Sequence, residues 1–332
     1  MPKTVAFDTS SLASWDSGLI SFLVQTSEFC RARGIEQNRD GLPNGLRRLV
    51  ELAEAVPEKK GARTETAKTP FFERIGNVTL GYGLSVSDFL SFLGELAVAF
   101  GKFLRGKARY RREDLVEVIQ ECGSSAVGIV SLIAFLVGVI LAFMGAVQLS
   151  QFGAQIYVAD LVGIGMVRDM GAMMAAIIMS GRTGAAFAAK LGTMKVTQEI
   201  DALTTMGISP LEFLVLPRVL ALVMMMPLLC LYSDFVGILG GMFVGVGMLD
   251  LSASSYMRET ISTLTLTNLF GGVFKATFYG LLIAIAGCLR GFQCGNSSSA
   301  VGDAATQAVV MSIVMVVIAC GLFAVVFNFL HI

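Results

Sequence analysis

From Cys122 to Ala159 the chain runs 38 residues without a charged side chain. As a helix that run would extend about 57 Å at ~1.5 Å per residue, against ~30 Å of bilayer hydrocarbon. It therefore holds one membrane span, about 124–148, and an outer segment beyond it. Further apolar runs predict spans over about 163–189, 213–248, 268–290 and 304–330, giving five. The second is interrupted by Arg168, Asp169 and Arg182, and the third carries Asp234 among Gly237, Gly240, Gly241, Gly245 and Gly247. Those glycines permit close helix contact. The third run is long for one straight span, so it is expected to bend or to continue into an outer segment.

Upstream, the pattern changes. Over 85–106, Phe89, Leu90, Phe92, Leu93, Leu96, Phe100, Phe103 and Leu104 recur at three- and four-residue spacing, and Arg105, Lys107, Arg109, Arg111 and Arg112 follow. An aromatic-rich amphipathic helix with a basic end suits the anionic inner face of a membrane, so 85–118 reads as an interfacial helix and basic segment. A soluble helix packed on the preceding domain is the competing reading. Residues 57–70 lack any large apolar residue, and the stretch 57–84 is read as a linker. Residues 1–56 look like a small α/β piece. Val5-Ala6-Phe7 suits a short strand, Asp16-Ser17-Gly18 a turn in which Ser17 caps a helix, and Leu19, Ile20, Phe22, Leu23 and Phe29 a helical stripe ending at Gly34. Leu42-Pro43 opens a second helix with Leu46, Leu49, Val50, Leu52 and Ala53 on one face. Asp8 and Asp16 interrupt the start and no apolar core follows, so a signal or transit peptide is not expected.

Composition supports this division. The chain has 332 residues, 55% apolar and 15% charged, where soluble domains carry roughly 25% charged residues. Net charge is zero, yet residues 1–118 hold 32 of the 50 charged side chains. Nothing in that balance points to nucleic acid. Lys and Arg cluster before the first span, between the second and third (Lys190, Lys195, Arg218) and after the fourth (Arg290), which places the N-terminus in the cytoplasm and the C-terminus in the periplasm. Six cysteines form no C-x-x-C pair and the lone histidine is His331, so neither a metal site nor histidine catalysis is expected. No phosphate-binding G-x-x-x-x-G-K-[ST] loop and no spaced carboxylate pair occur in the spans, so the chain is expected to be no enzyme and to hold no cofactor. A lipid-modifying enzyme is disfavoured on the same grounds.

The most informative stretch is Gly181-Arg182-Thr183-Gly184-Ala185-Ala186-Phe187-Ala188-Ala189-Lys190-Leu191-Gly192. Its small residues let helices approach closely, and Arg182 can snorkel to the cytoplasmic surface. A short amphipathic helix is predicted over 193–206, with Val196, Ile200 and Leu203 on one face, bracketed by Gly192 and Gly207 and stopped before Pro210. A rigid helix in a cytoplasmic loop is a suitable surface for a partner to push on.

Residues 181–203 resemble the signature of MlaE-type permeases, the membrane subunits of lipid-transporting ABC systems that work with MCE-domain proteins. Val301-Gly302-Asp303-Ala304-Ala305-Thr306-Gln307 resembles that family's entry to its last span, and Phe92-Leu93-Gly94-Glu95 its interfacial helix. Lys190 stands where the family usually has Glu, and Gln198-Glu199 reverses the usual order. The resemblance implies a mostly α, polytopic inner-membrane permease of bacteria over 119–332, working as a homodimer around a lipid cavity. It implies an ATPase subunit that binds ATP and Mg outside this chain, a periplasmic MCE partner and a phospholipid cargo. Met194, Lys195, Val196, Thr197, Glu199, Ile200, Asp201 and Leu203 would then form the ATPase-coupling helix, with Arg182, Gly184 and Gly192 as structural signature. Arg168 and Asp169 match the family's Arg-acid-x-Gly element, and charges in a span need a reason. Arg168 is the headgroup candidate, with Asp169, Tyr157 and Gln148 beside it; a structural Arg168–Asp169 pair is the alternative.

Residues 4–56 resemble the C-terminal part of a STAS domain, which implies a fused, shortened equivalent of the STAS protein of such systems. Two other readings remain open: a STAS-linked secondary anion transporter, and a membrane scaffold or sensor without transport.

Overall fold

The computed structural model describes residues 4–9, 16–55, 71–107 and 111–330, and the chain divides into two units, 1–79 and 80–332. In the first unit, strand β1 (Thr4–Ala6) pairs in parallel with β2 (Glu36–Asn38), Val5 opposite Gln37. Between them lies helix α1 (Ser17–Arg33), and after them α2 (Asn44–Ala55). The capping residue of α1 is Asp16, not Ser17: its Oδ1 accepts from the N–H groups of Gly18 at 3.0 Å and Leu19 at 3.2 Å, and Ser17 is the first helical residue. A carboxylate at this position also meets the positive end of the helix dipole. Gly34 closes α1 in the left-handed region at φ 68, where glycine carries no Cβ penalty.

Leu23, Leu42, Leu46 and Val50 form the buried centre of this unit, with Phe7, Leu19 and Ile20 against it. The expected apolar stripes are therefore narrower than the sequence suggests. Phe22, Phe29, Leu49 and Leu52 lie exposed, and the Arg33 guanidinium covers the Phe29 ring at 4.1 Å. Among the described residues of this unit, two helices and two three-residue strands leave those side chains uncovered.

Helix α3 (Phe71–Leu104) begins well before the amphipathic segment. Residues 71–84, expected as part of the linker, are helical. Their three glycines, each costing about 1 kcal/mol in a helix interior, disguise the helix in the sequence, and the strong pattern beyond 85 continues it. Residues 56–70 lie outside the described residues.

In the second unit, five helical segments are long and apolar enough to cross a membrane: Arg112–Ser150, Gln155–Val196, Leu211–Met248, Leu266–Phe292 and Ser298–Phe329. The first is α4 (Arg112–Ser150). The second opens with a 3-10 turn and α5 (Val158–Gly165), passes a π-helical turn (Met166–Met170) into α6 (Gly171–Met179), and passes a second π turn (Ser180–Gly184) into α7 (Ala185–Val196). A short helix α8 (Glu199–Thr205) and a third π turn (Leu211–Val215) lead into α9 (Leu216–Met248). The third span is one helix with Pro227 inside it rather than a span followed by a separate outer segment. A short connecting helix that the apolar pattern does not predict, α10 (Ala253–Thr263), precedes α11 (Leu266–Phe292) and α12 (Ser298–Phe329).

Gly237, Gly240, Gly241 and Gly245 are close-packing positions as expected, whereas a Cβ on Gly247 would meet nothing within 4 Å. A Cβ on Gly138 of α4 would overlap the Gly237 carbonyl oxygen of α9, and one on Gly240 would overlap that of Phe135. Between α11 and the second π turn, a Cβ on Gly287 would come within 2.8 Å of the Gly184 carbonyl oxygen. Tyr256 of α10 fills the groove over Gly241 and Gly245 and is fully buried. Backbone-to-backbone packing of this kind is how helices associate where lipid gives no hydrophobic drive.

Candidate functional site

The π turn at Met166–Met170 carries Arg168 and Asp169. A π turn inserts one extra residue, and such turns gather at functional positions in helices. Across from it on α11 stands Lys275, 1% exposed. Its ammonium donates to Asp169 Oδ1 at 2.5 Å and to the Arg168 carbonyl oxygen at 3.0 Å, and it lies 4.8 Å from the Phe327 ring centre. The ring face adds cation–π attraction. Arg168 Nε stands 4.0 Å from Asp169 Oδ2. Asp169 is thus held chiefly by Lys275, not by its sequence neighbour, so the expected Arg168–Asp169 pair is the weaker of its two contacts.

These three side chains line an open pocket of about 380 Å³ with Ala324, Val325 and Asn328 of α12. Two cations and one carboxylate leave one net positive charge beside an aliphatic wall. That combination suits an anionic group attached to an apolar tail. Tyr157 and Gln148 do not line this pocket; Gln148 lies exposed on α4 and Tyr157 on the 3-10 turn. Lys275 was missed as a site residue, although a lysine in the middle of an apolar span is itself a signal.

At the other end of the second span, Arg182 donates from both terminal nitrogens to the Glu121 carbonyl oxygen at 3.1 Å and to Ser125 Oγ at 2.5 Å. Lys190 meets Glu121 Oε2 at 2.6 Å. Arg182 and Lys190 together tie α7 and the π turn before it to α4. The other signature residues are packing positions: a Cβ on Gly184 would press Ile283 and Ser312, and one on Gly192 would press Cys294 at 3.2 Å.

The predicted helix over 193–206 is two pieces. Met194, Lys195 and Val196 finish α7, and the chain then turns at Gln198, which is left-handed at φ 62. Thr197 favours that break: its hydroxyl meets the Thr193 and Met194 carbonyl oxygens and the Glu199 carboxylate. Lys195 donates to the Phe292 carbonyl oxygen at 2.6 Å and so caps α11. Ile200 is 7% exposed and, with partly buried Leu203, packs into the chain's own core. The apolar face of α8 therefore looks inward, and its open side consists of Gln198, Glu199, Asp201, Ala202, Thr205 and Met206. Next to it, Lys102 of α3 forms an ion pair with half-buried-to-buried Glu212 of the third π turn.

Asp234, left without a partner by the sequence, lies buried in α9. Its Oδ2 is 3.7 Å from Cys230 Sγ, and its Oδ1 sits where a Cβ on Gly171 would be, directly after the π turn that bears Arg168 and Asp169.

Comparison with known proteins gives a family match and several relatives. The family described as Permease MlaE matches residues 115–326. A probable ABC transporter permease protein of Rickettsia typhi is 36% identical over 196 residues, 59% of this chain and 76% of that one. The intermembrane phospholipid transport system permease protein MlaE of Haemophilus influenzae is 28% identical over 239 residues, 71% of this chain and 92% of that one. The chloroplastic protein TRIGALACTOSYLDIACYLGLYCEROL 1 of Arabidopsis thaliana is 25% identical over 308 residues, 90% of this chain and 85% of that one. The family match leaves the STAS-like segment outside its bounds.

Proposed function

Because this chain belongs to the MlaE permease family, we propose that it is the inner-membrane subunit of an ABC transporter whose cargo is a phospholipid. The relative from Haemophilus influenzae carries phospholipid transport in its name. The observation that carries the reading to this chain is the pocket of Arg168, Asp169 and Lys275 against Ala324 and Val325. A phosphate would be drawn to Arg168, whose guanidinium lines the pocket and suits a phosphate's oxygens. The acyl chains would run along the aliphatic wall. Purification in mild detergent followed by lipid mass spectrometry tests this: the chain should retain phospholipid and Arg168→Ala should retain much less. Equal retention would overturn the cargo site.

The remaining parts of the system follow from the same reading. A separate cytoplasmic ATPase binds ATP with Mg and docks on the open side of α8. Two copies of this chain enclose the cavity, and an MCE-domain protein receives or delivers lipid on the outer face. The N-terminus lies in the cytoplasm and the C-terminus in the periplasm; the distribution of Lys and Arg supports this orientation. Residues 1–56 act as a fused, shortened STAS-like module. Five spans favour this permease over a secondary anion transporter.

A further inference from the structure

A second pocket lies far from the charged one in chemistry. Its walls are Leu93, Leu96, Ala97 and Phe100 of α3, Val219, Leu220 and Val223 of α9, and Leu281 and Ile285 of α11. No polar or charged residue contributes to it, and its volume is about 270 Å³. Apolar cavities of ~150 Å³ already stay dry and accept small hydrocarbons. This one is open on one side, so water in it would have no polar partner. Val219 to Val223 begin the third span and Leu281 to Ile285 end the fourth, so both walls belong to the same membrane face, the one where Lys and Arg are concentrated. Helix α3 covers the groove with one edge only. Phe92, Leu96 and Ala99 are buried beneath it, while Leu93 and Phe100 remain partly open.

Glu95 stands exposed on α3 among the lining residues, and the cations gather past the end of that helix. Helix α3 ends at Leu104, and Arg105 and Lys107 follow at once, exposed and with no ion pair among the described residues. Lys102, one turn earlier, is already committed to Glu212. An apolar slot with two unneutralised cations at its cytoplasmic mouth matches an anionic amphiphile held in the inner leaflet.

We propose that this groove holds one acyl chain of an anionic phospholipid of the cytoplasmic leaflet, with its phosphate at Arg105 and Lys107. The lipid would be a resident one that seats α3 on the spans, distinct from the cargo at Arg168. The proposal rests on the membrane assignment and not on the cargo pocket, so each can fail without the other.

The test uses the full chain in nanodiscs that contain phosphatidylcholine and a phosphatidylglycerol probe with a photoreactive acyl chain. Labelled peptides are mapped by mass spectrometry. Labelling is expected within 93–100, 219–223 or 281–285. Ala97→Phe, which fills the slot from an exposed position, should reduce it at least fivefold. Arg105→Gln with Lys107→Gln should leave labelling by a phosphatidylcholine probe unchanged and lower that by phosphatidylglycerol about threefold or more. Ala97→Ser serves as the folded control and should label as the parent does. Labelling unaffected by Ala97→Phe, equal labelling by both headgroups in the parent, or crosslinks from these peptides to a second copy of the chain in place of lipid would each overturn the proposal.

Discussion

Lys275 and Asp169, 106 residues apart, meet at 2.5 Å inside the membrane-spanning body, and Lys275 is almost wholly enclosed while Asp169 opens to the pocket. The pair is asymmetric, so its two halves should not be equivalent under mutation. Asp169→Asn leaves a buried ammonium with only the Arg168 carbonyl oxygen and the Phe327 ring, and should lower stability by about 3 kcal/mol. Lys275→Met leaves a carboxylate that is partly open and has Arg168 nearby, and should cost less. The double variant should recover part of the loss. Thermal unfolding in detergent for all four proteins checks this; strict additivity would mean that the two groups do not interact.

Arg168→Ala should lower retained phospholipid about tenfold, the effect of losing a charge-assisted hydrogen bond of about 1.5 kcal/mol. The comparison is made per folded protein, so that any change in yield is separated from lipid retention. Quantitative lipid mass spectrometry of purified protein measures it.

Between the second and third spans, the burial of Ile200 moves the informative substitutions. Ile200→Asp places a charge in the core and should reduce folded yield whatever the partner. Asp201→Arg alters only the open side of α8. It should cut co-purification of the ATPase severalfold at unchanged yield. If both variants lose the ATPase only in proportion to yield, α8 is not the docking surface.

Close packing gives a contrast between two glycines of the same helix. Gly138→Ala forces a Cβ into the Gly237 carbonyl oxygen and should cost about 1–3 kcal/mol. Gly128 has nothing within 4 Å of the equivalent position, and Gly128→Ala should be neutral or stabilise by up to about 1 kcal/mol. Melting temperatures of the two variants decide it.

Tyr256 lies on the connecting helix α10, with its hydroxyl buried and unpartnered among the described residues. Burial, aided by the Asp160 carboxylate, pushes its pKa from 10.0 up to about 12. The folded state therefore holds the proton more tightly than the unfolded one. That contribution is complete below pH 10 and is lost as pH rises through about 12. Tyr256→Phe should match the parent at neutral pH and lose less stability between pH 10 and 12, as unfolding series at these pH values would show.

The five spans were legible because a charge-free run of helical length has few other uses, and the helix over 85–104 because its apolar spacing is regular. The glycines of the third run announced close packing, though not which helix would press on each. Three things were hidden. The meeting of Lys275 with Asp169 depends on how two spans pack, and neither segment marks it locally. The break at Gln198 arises from a hydroxyl that competes with the helix, inside a pattern whose apolar spacing runs through undisturbed. The first residues of α3 were masked by their glycines. Ile200 and Leu203, read as the apolar face of a coupling helix, pack on the chain's own core, because amphipathicity shows which face is apolar and not what covers it.

The three π turns have one more consequence. Each contains a charged side chain: Arg168 with Asp169, then Arg182, then Glu212. A π turn takes up one surplus residue within the winding of the helix, so the residues beyond it keep roughly the direction they would have without it. Taking one residue out of the first turn should therefore let it close as regular helix and still leave Arg182 and Lys190 facing Glu121. What would change is the turn itself, where Arg168 and Asp169 stand. The surplus residue thus acts on the charges it carries and not on the neighbours of the rest of the span.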